Sequence, residues 1–511
     1  MTSGVLIIDF GSQYTQLIAR RIREQGVYCE VIPCTESFSG RAFDALVLSG
    51  GPASVLGADA PDFDEKWLQQ GKPVLGICYG MQLLARLQGG VLRQSEHREY
   101  GKAQLCIEDE SNLIWGAEIP AQSQVWMSHG DDVLEVPSDW SVIAKSQDGV
   151  IAAMAKNDGL QWGVQFHPEV THTIYGTQMI RQFLFGCCGL SANWNMAAFV
   201  ETQVKNIRQM VGSEHVICAM SGGVDSAVTA ALLHQAIGQQ LHCVFVDNGV
   251  LRAGERAAIE TEFSELQLSV VDASELFLTR LTGVTDPEQK RKIIGHSFIE
   301  VFKGEAERLK SSGIEIKWLA QGTLYPDVIE SISVRGPAAV IKSHHNVGGL
   351  PPDMPFELIE PLRELFKDEV RLVGIELGLS ENRVYRQPFP GPGLAVRILG
   401  EVTVERVKLL QLADQIFDQE IRAAGWYRRL WQSFVVFLPV KSVGVMGDSR
   451  SYEWTVVLRA VHSSDGMTAD IAQLPWALLE RTSTRIINEV KGINRVAYDI
   501  SSKPPGTIEW E

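Results

Sequence analysis

Ser221-Gly222-Gly223-Val224-Asp225-Ser226 stands between an apolar run, His215 to Met220, that reads as a buried strand, and a segment, Ala227 to Ile237, that reads as a helix. A glycine pair at a strand-to-helix turn lets the backbone approach an anion closely. The first helical amides point at that anion, and the hydroxyls of Ser221 and Ser226 add donors. Ser221, Gly222, Gly223, Val224, Asp225, Ser226 and Ala227 therefore read as a phosphate cradle. Asp225 stands where a magnesium ion bridging phosphate oxygens needs a carboxylate. The competing reading of so short a string is an ordinary tight turn. The Gly-x-x-x-x-Gly-Lys-Ser/Thr spacing of the common triphosphate loop is not present in the hexapeptide, which argues against simple transfer of the γ-phosphate.

Outward from this loop the same alternation continues, with strand-like runs at Leu241 to Val246 and Ile316 to Ala320 and helical patterns between them. The first third of the chain alternates too: Val5 to Phe10, Tyr14 to Gln25, Ala45 to Leu48, Pro73 to Ile77 and Met81 to Leu87. Such βα alternation predicts mainly parallel sheets. A stretch rich in glycine, serine and asparagine, Gly186 to Asn195, reads as a linker, and Arg386 to Gly393, with three prolines and two glycines, forbids regular structure. The remainder reads as α+β: a helix from Val402 to Ala424, strands near Phe434 to Leu438 and Trp454 to Val461, a helix from Trp476 to Val490 and a strand near Arg495 to Ile500. The expected class is α/β: two successive mainly parallel-sheet domains, 1–193 and 194–387, followed by a small α+β domain, 388–511.

The 511 residues suffice for about three domains of ordinary size. With 46 Lys and Arg against 62 Asp and Glu the net charge is −16, which disfavours nonspecific binding to nucleic acid or anionic membrane. Anionic substrates must then be met by local positive sites. The eight cysteines are scattered without a Cys-x-x-Cys pair, so most read as small buried hydrophobes. No apolar stretch reaches a bilayer-spanning length and no signal core forms before Asp9, so the expected location is cytoplasmic.

Cys78 differs from the other cysteines in its context. It sits in Gly76-Ile77-Cys78-Tyr79-Gly80, between a short strand and a helix, which is the Gly-x-nucleophile-x-Gly elbow with a thiol as nucleophile. A thiol needs a base, and His167-Pro168-Glu169 offers one. Residues i and i+2 of an extended segment share a face, so Glu169 can hold the His167 ring in the useful tautomer. Taken alone, that tripeptide also reads as a capped turn. Ser49-Gly50-Gly51-Pro52 follows the run Ala45 to Leu48 and reads either as a plain loop or as an oxyanion hole, with amides near Gly51 and Tyr79 facing a carbonyl oxygen under attack.

Asp9-Phe10-Gly11-Ser12-Gln13, Ser49 to Pro52, Gly76 to Gln82 and His167 to Glu169 resemble the class I (triad) glutamine amidotransferases. The resemblance implies hydrolysis of the glutamine side-chain amide through a thioester on Cys78, with Gly50, Gly51, Tyr79 and Gln82 holding the substrate. It also implies release of ammonia inside the protein. Ser221 to Ser226 resembles the pyrophosphate loop of the ATP pyrophosphatases, which transfer AMP.

Over its whole length the chain resembles the family of glutamine-hydrolysing GMP synthases. The matches include Val246 to Gly249, Lys290 to Gly295, Gln321 to Asp327, Lys342 to Asn346, Pro388 to Gly393 and the tail Lys503 to Glu511. That resemblance implies that ATP, with Mg2+ at Asp225, adenylates xanthosine 5′-monophosphate (XMP), and that ammonia displaces AMP to give GMP. It assigns Arg291, Asp448, Lys503 and Glu509 to XMP, and makes the C-terminal domain a homodimer contact. Lys290 to Lys292 reads equally as a solvated charge run, and the tail as a frayed end. Lys342, His344 and His345 belong to a stretch that could close over ATP as a lid. The adjacent histidines also raise a metal reading, for which no third ligand is evident. Lys367 reads either as a cation for the leaving pyrophosphate or as a helix-surface lysine paired with a neighbouring carboxylate. A tRNA-modifying adenylating enzyme is disfavoured by the acidic balance.

Overall fold

In the computed structural model of the chain, residues 4–332, 356–446, 449–463 and 468–511 are described. They form two compact units, 4–199 with 325–332, and 200–324 with 356–511.

The first unit is built on one sheet. Its strands are β1 (Val5–Asp9), β2 (Cys29–Pro33), β3 (Ala45–Leu48), β4 (Val74–Ile77), β5 (Val91–Ile107), β6 (Gln122–Glu135), β7 (Trp140–Ser146), β8 (Ile151–Lys156) and β9 (Gln161–Val164), in the spatial order 2-1-3-4-9-8-7-5-6. From β2 through β9 the pairings are parallel; from β9 to β6 they are antiparallel. The sheet is thus mixed, and the antiparallel half comes from residues 91–156, where the apolar alternation is interrupted by polar residues. Every residue of β3, β4 and β9 is buried, the burial expected of parallel strands covered on both faces.

The second unit holds two sheets. The first, with β10 (His215–Met220), β11 (Leu241–Asp247), β12 (Leu268–Asp272), β13 (Ile316–Ala320) and β14 (Glu357–Ile359), runs 12-11-10-13-14 and is parallel throughout. The second pairs β15 (Gln432–Met446) and β17 (Asp470–Ile471) antiparallel to β16 (Ser449–His462), while β18 (Ile493–Tyr498) runs parallel to β16. One hydrophobic core runs from Ile217 through Leu394 and Phe417 to Ile493, so both sheets of this unit share a packed interior. Two of its long helices start where side chains cap them. Asp286 Oδ1 accepts from Gln289 N at 2.8 Å ahead of Pro287–Ser311, and Thr403 Oγ1 accepts from Arg406 N at 3.3 Å ahead of Val404–Ala423. Each such cap contributes about 1 kcal/mol.

Of the cysteines, Cys29, Cys78, Cys218 and Cys243 are buried and Cys34, Cys106, Cys187 and Cys188 half-buried; all are free. Among the described residues no helix is long and apolar enough to cross a membrane.

Candidate active site

Three of the singled-out segments follow the carboxyl ends of three adjacent parallel strands: Ser49 to Gly51 after β3, Cys78 after β4 and His167 to Glu169 shortly after β9. The register does this directly, since Leu48 pairs with Gly76 and Ile77 with Val164. Open parallel sheets place their ligands at that end. Cys78 N–H donates to Val164 O at 2.7 Å, which ties the elbow to the strand that leads to His167.

Cys78 has φ +52° and ψ −104°, and is the one residue other than glycine with positive φ among the described residues. A β-carbon-bearing residue there stores about 1–3 kcal/mol, as elbows do at reactive sites. The flanking glycines are steric necessities: a Cβ on Gly76 would lie 2.6 Å from the Gly80 backbone, and one on Gly80 would overlap the Leu48 carbonyl. Cys78 is 5% exposed, and its thiol donates to the Ser128 carbonyl at 3.5 Å.

His167 and Glu169, 3% and 1% exposed, are hydrogen-bonded from Nδ1 to Oε1 at 2.7 Å. Burial works against charge on the ring. The Glu169 carboxylate, hydrogen-bonded to the ring, and the neighbouring Cys78 sulfur nevertheless raise its pKa well above the ordinary histidine value. The strand end is held by Thr173, whose Oγ1 donates to His167 O at 2.6 Å, and the Tyr14 ring packs edge-on against the imidazole at 5.0 Å. No described residue takes the N–H of Gly51 or of Tyr79 as a hydrogen-bond donor. Gly50 and Gly51 are confined by neighbours: a Cβ on Gly50 would stand 3.2 Å from His167 Cε1, and one on Gly51 3.0 Å from Phe10 O.

Gln82 is buried, with its Nε2 on Asp131 O at 2.8 Å and on Gln165 Oε1 at 3.2 Å. Gln165, fully buried, in turn directs its Nε2 to Cys78 Sγ at 3.7 Å. Ser128 and Gln165 were not legible in the sequence. Gln165 reaches the thiol because β9 pairs with β4, and Ser128 reaches it from β6, which pairs with β5; no local motif marks either.

In the second unit, the loop after β10 is folded on its own hydroxyls. Ser221 Oγ and Ser226 Oγ lie 3.0 Å apart, Gly223 N donates to Ser221 Oγ at 3.3 Å, and Ser226 Oγ donates to Gly223 O at 3.1 Å. Gly222 takes φ +75°, a conformation open to glycine, and the helix Val224–Ile237 begins at Gly223 with no side-chain cap on its first amides. Lys367 Nζ reaches both oxygens of Asp225, at 2.6 and 2.7 Å. Lys367 thus pairs with a carboxylate distant in sequence, not with Asp368 or Glu369 beside it. It opens the helix Lys367–Glu376, the end at which a cation is disfavoured by the helix dipole. With side chains 38% and 32% exposed, the pair is worth about 0–1 kcal/mol, so a phosphate can displace it at little cost. Arg383 and Arg386, which carried no motif, both bond the Gly222 carbonyl.

The tail is anchored. Fully buried Arg397 forks onto Glu509 (Nε to Oε2 3.1 Å, Nη2 to Oε1 2.8 Å), and Gln432 Nε2 donates to the same Oε1 at 2.6 Å. Fully buried Lys290 bonds Ile398 O at 2.7 Å and pairs with Glu511, whose main-chain oxygen accepts from Arg291 Nη2 at 2.6 Å. Arg459 holds Thr507 O at 3.0 Å and Ser501 O at 2.5 Å. The Lys503 backbone pairs with Ala469. Lys290 to Lys292 is therefore no solvated run at its first residue, because a tail was available to bury it. Lys342, His344, His345 and Asp448 lie outside the described residues.

Arg397→Met should lower thermal stability by about 3 kcal/mol, the low end for a broken buried pair because Glu509 keeps some access to water. A melting curve within a degree of the unaltered chain would show that the fork contributes nothing.

Residues 6–187 match the family model for class-I glutamine amidotransferases, 214–267 that for the tRNA methyl transferase HUP domain, and 419–510 that for the GMP synthase C terminal domain. Relatives named GMP synthase (glutamine-hydrolyzing) are 56% identical over 514 residues in Oleidesulfovibrio alaskensis, 56% over 513 in Nitratidesulfovibrio vulgaris and 55% over 513 in Brachyspira hyodysenteriae. Each alignment covers 99% of this chain and 99% of the relative. With more than half of its residues identical along nearly its entire length, the chain belongs to the family of glutamine-hydrolysing GMP synthases.

Proposed function

We propose that the chain makes GMP from XMP, ATP and glutamine at two separate centres. At the first, Cys78 attacks the side-chain carbonyl of glutamine, His167 takes the thiol proton and returns it to the departing ammonia, and water hydrolyses the thioester. Glu169 holds the imidazole and balances its charge. The amides of Gly51 and Tyr79 receive the oxyanion, a contribution of roughly 3 kcal/mol for one such donor. Gly50 and Gln82 complete the glutamine pocket. At the second centre, Ser221 to Ala227 hold the β and γ phosphates while the O2 of XMP attacks the α phosphorus. Ammonia then attacks C2, and AMP leaves after pyrophosphate.

Mg2+ fits this centre. Asp225 is a carboxylate at the mouth of the cradle, and magnesium usually takes one or two protein carboxylates with phosphate oxygens and water. Among the described residues no cluster of three acidic, histidine or cysteine ligands competes for that role. Asp225 would hold the ion, which when bound offsets phosphate charge, and Lys367 would turn to the pyrophosphate. Arg291, Lys503 and Glu509 bind XMP, with Glu509 oriented by Arg397. Domains at 1–193, 194–387 and 388–511, a homodimer formed through the last of them, and a cytoplasmic location complete the reading.

The observation that carries it is the Glu169–His167 pair hydrogen-bonded beside a strained Cys78, in a chain that also carries an uncapped glycine loop at 221–226. The test is incubation with glutamine, ATP, magnesium and, separately, XMP, IMP or AMP. XMP alone should yield GMP, with AMP and glutamate formed in equal amounts; no AMP release with XMP would reject the reading.

Glu169→Gln should lower the glutaminase rate by about 10²- to 10⁴-fold. The raised His167 pKa depends on the carboxylate, so the ring should lose its proton at lower pH in the variant. An NMR titration of the imidazole checks the direction; an unchanged midpoint would remove Glu169 from the mechanism.

A further inference from the structure

The Gly222 carbonyl accepts from two guanidiniums at once, Nη1 of Arg383 and Nη1 of Arg386, each at 2.8 Å. Neither is a bare charge waiting for a ligand. Arg383 Nε and Nη2 hold Glu262 Oε2 at 2.8 and 2.5 Å, and Arg386 Nη2 holds Glu255 Oε1 at 2.7 Å. Arg383 is 6% exposed and the Arg386 side chain 16%. Each cation is thus neutralised and fixed by its own carboxylate, with Nη1 directed at the loop.

A trans peptide is planar, with C=O and N–H opposed. Gripping the oxygen of Gly222 therefore turns the N–H of Gly223 to the other side, the side of the loop's hydroxyls, where it donates to Ser221 Oγ. A peptide between two glycines can otherwise rotate at small steric cost, which would put a carbonyl oxygen into the anion hollow. The Glu255 carboxylate also stands where a Gly222 side chain would be, 2.7 Å from its Cβ position, so nothing larger than glycine fits between the clamp and the loop.

We infer that Arg383 and Arg386 are positioning residues that lock the Gly222–Gly223 peptide, so that the loop presents N–H and not C=O to the pyrophosphate of ATP. The inference rests on the reading of residues 221–226 as the ATP cradle. Two anchored arginines on one carbonyl supply orientation without adding net charge to the cradle, which leaves Lys367 and the helix amides to meet the anion.

The test uses the full chain, Arg386→Gln, Arg386→Lys, and Arg386→Gln combined with Arg383→Lys. The readouts are calorimetric affinity for inorganic pyrophosphate, and KM for ATP and for XMP with ammonium as nitrogen donor. The double variant should lose about tenfold to a hundredfold in pyrophosphate affinity and raise the KM for ATP likewise, the scale of one charge-assisted hydrogen bond. KM for XMP and the basal glutaminase rate should stay near those of the unaltered chain, and Arg386→Lys should recover part of the loss because an ammonium still donates to the carbonyl. A merely structural role would move both KM values together, and a lowered melting temperature, expected in any variant that breaks the buried Arg386–Glu255 pair, does not bear on the choice. Unchanged pyrophosphate affinity in a variant with normal glutaminase activity would overturn the inference. If the double variant fails to fold, Arg386→Gln alone decides in the same direction. An unaltered chain that binds pyrophosphate but releases no AMP with XMP would fail the proposed function, and the affinity comparison would still judge the clamp.

Discussion

Cys78→Ala should abolish glutamine-dependent GMP formation, with a loss of about 10⁴-fold or more, while synthesis from high ammonia continues near the original rate. The expectation follows from where the thiol sits. It leaves the end of β4 in a strained turn, it neighbours a histidine whose charge Glu169 supports, and the small side chain of alanine is tolerated by the same backbone. No other described group stands in its place as a nucleophile, since Gln165 and the Ser128 carbonyl beside it cannot attack an amide. The nitrogen needed by the second centre can come from solution once ammonia is supplied. Loss of both activities in a folded variant would refute two independent centres.

Asp225→Asn should do the reverse. AMP release from ATP and XMP should fall by about 10²- to 10³-fold, with basal glutaminase spared. Asn keeps the size of the side chain and its place at the first turn of the helix Val224–Ile237 but removes the charge that a magnesium ion requires. It also releases Lys367, whose ammonium now bonds both carboxylate oxygens. The freed lysine strengthens binding of the anion while the missing carboxylate weakens the metal, so pyrophosphate without magnesium should bind at least as well as before even as turnover collapses. Equal adenylation by the variant would remove Asp225 from the chemistry.

Local pattern made much of this fold legible. The strands at Ala45–Leu48, His215–Met220 and Ile316–Ala320 fall on the residues that the apolar runs mark; Ala45–Leu48 is buried throughout and so needs an unbroken apolar string, while the other two stay mostly apolar around exposed Ala219 and Lys317. The helix of the C-terminal part, Val404–Ala423, starts at a threonine cap and ends ahead of Gly425, both visible in the sequence. Residues 91–156 were less legible. Of their strands β6 alternates with period 2, which declares a strand without naming its partner, and so the antiparallel half of the first sheet appeared only once pairing order was set.

The same division runs through the two centres. Sequence alone determined the turns that demand glycine, the cysteine lifted between a strand and a helix, the histidine two residues from its carboxylate, and the serine-flanked loop, because each depends on backbone geometry within a few residues. Tertiary structure decided what surrounds them: Gln165 and Ser128 at the thiol, Lys367 on Asp225, Arg383 and Arg386 on Gly222, and Arg397 under Glu509. Those contacts join residues 50 to 164 positions apart. Spacing along the chain carries no information about them; strand order and a shared core bring them within reach, and burial then requires each charge to find its opposite.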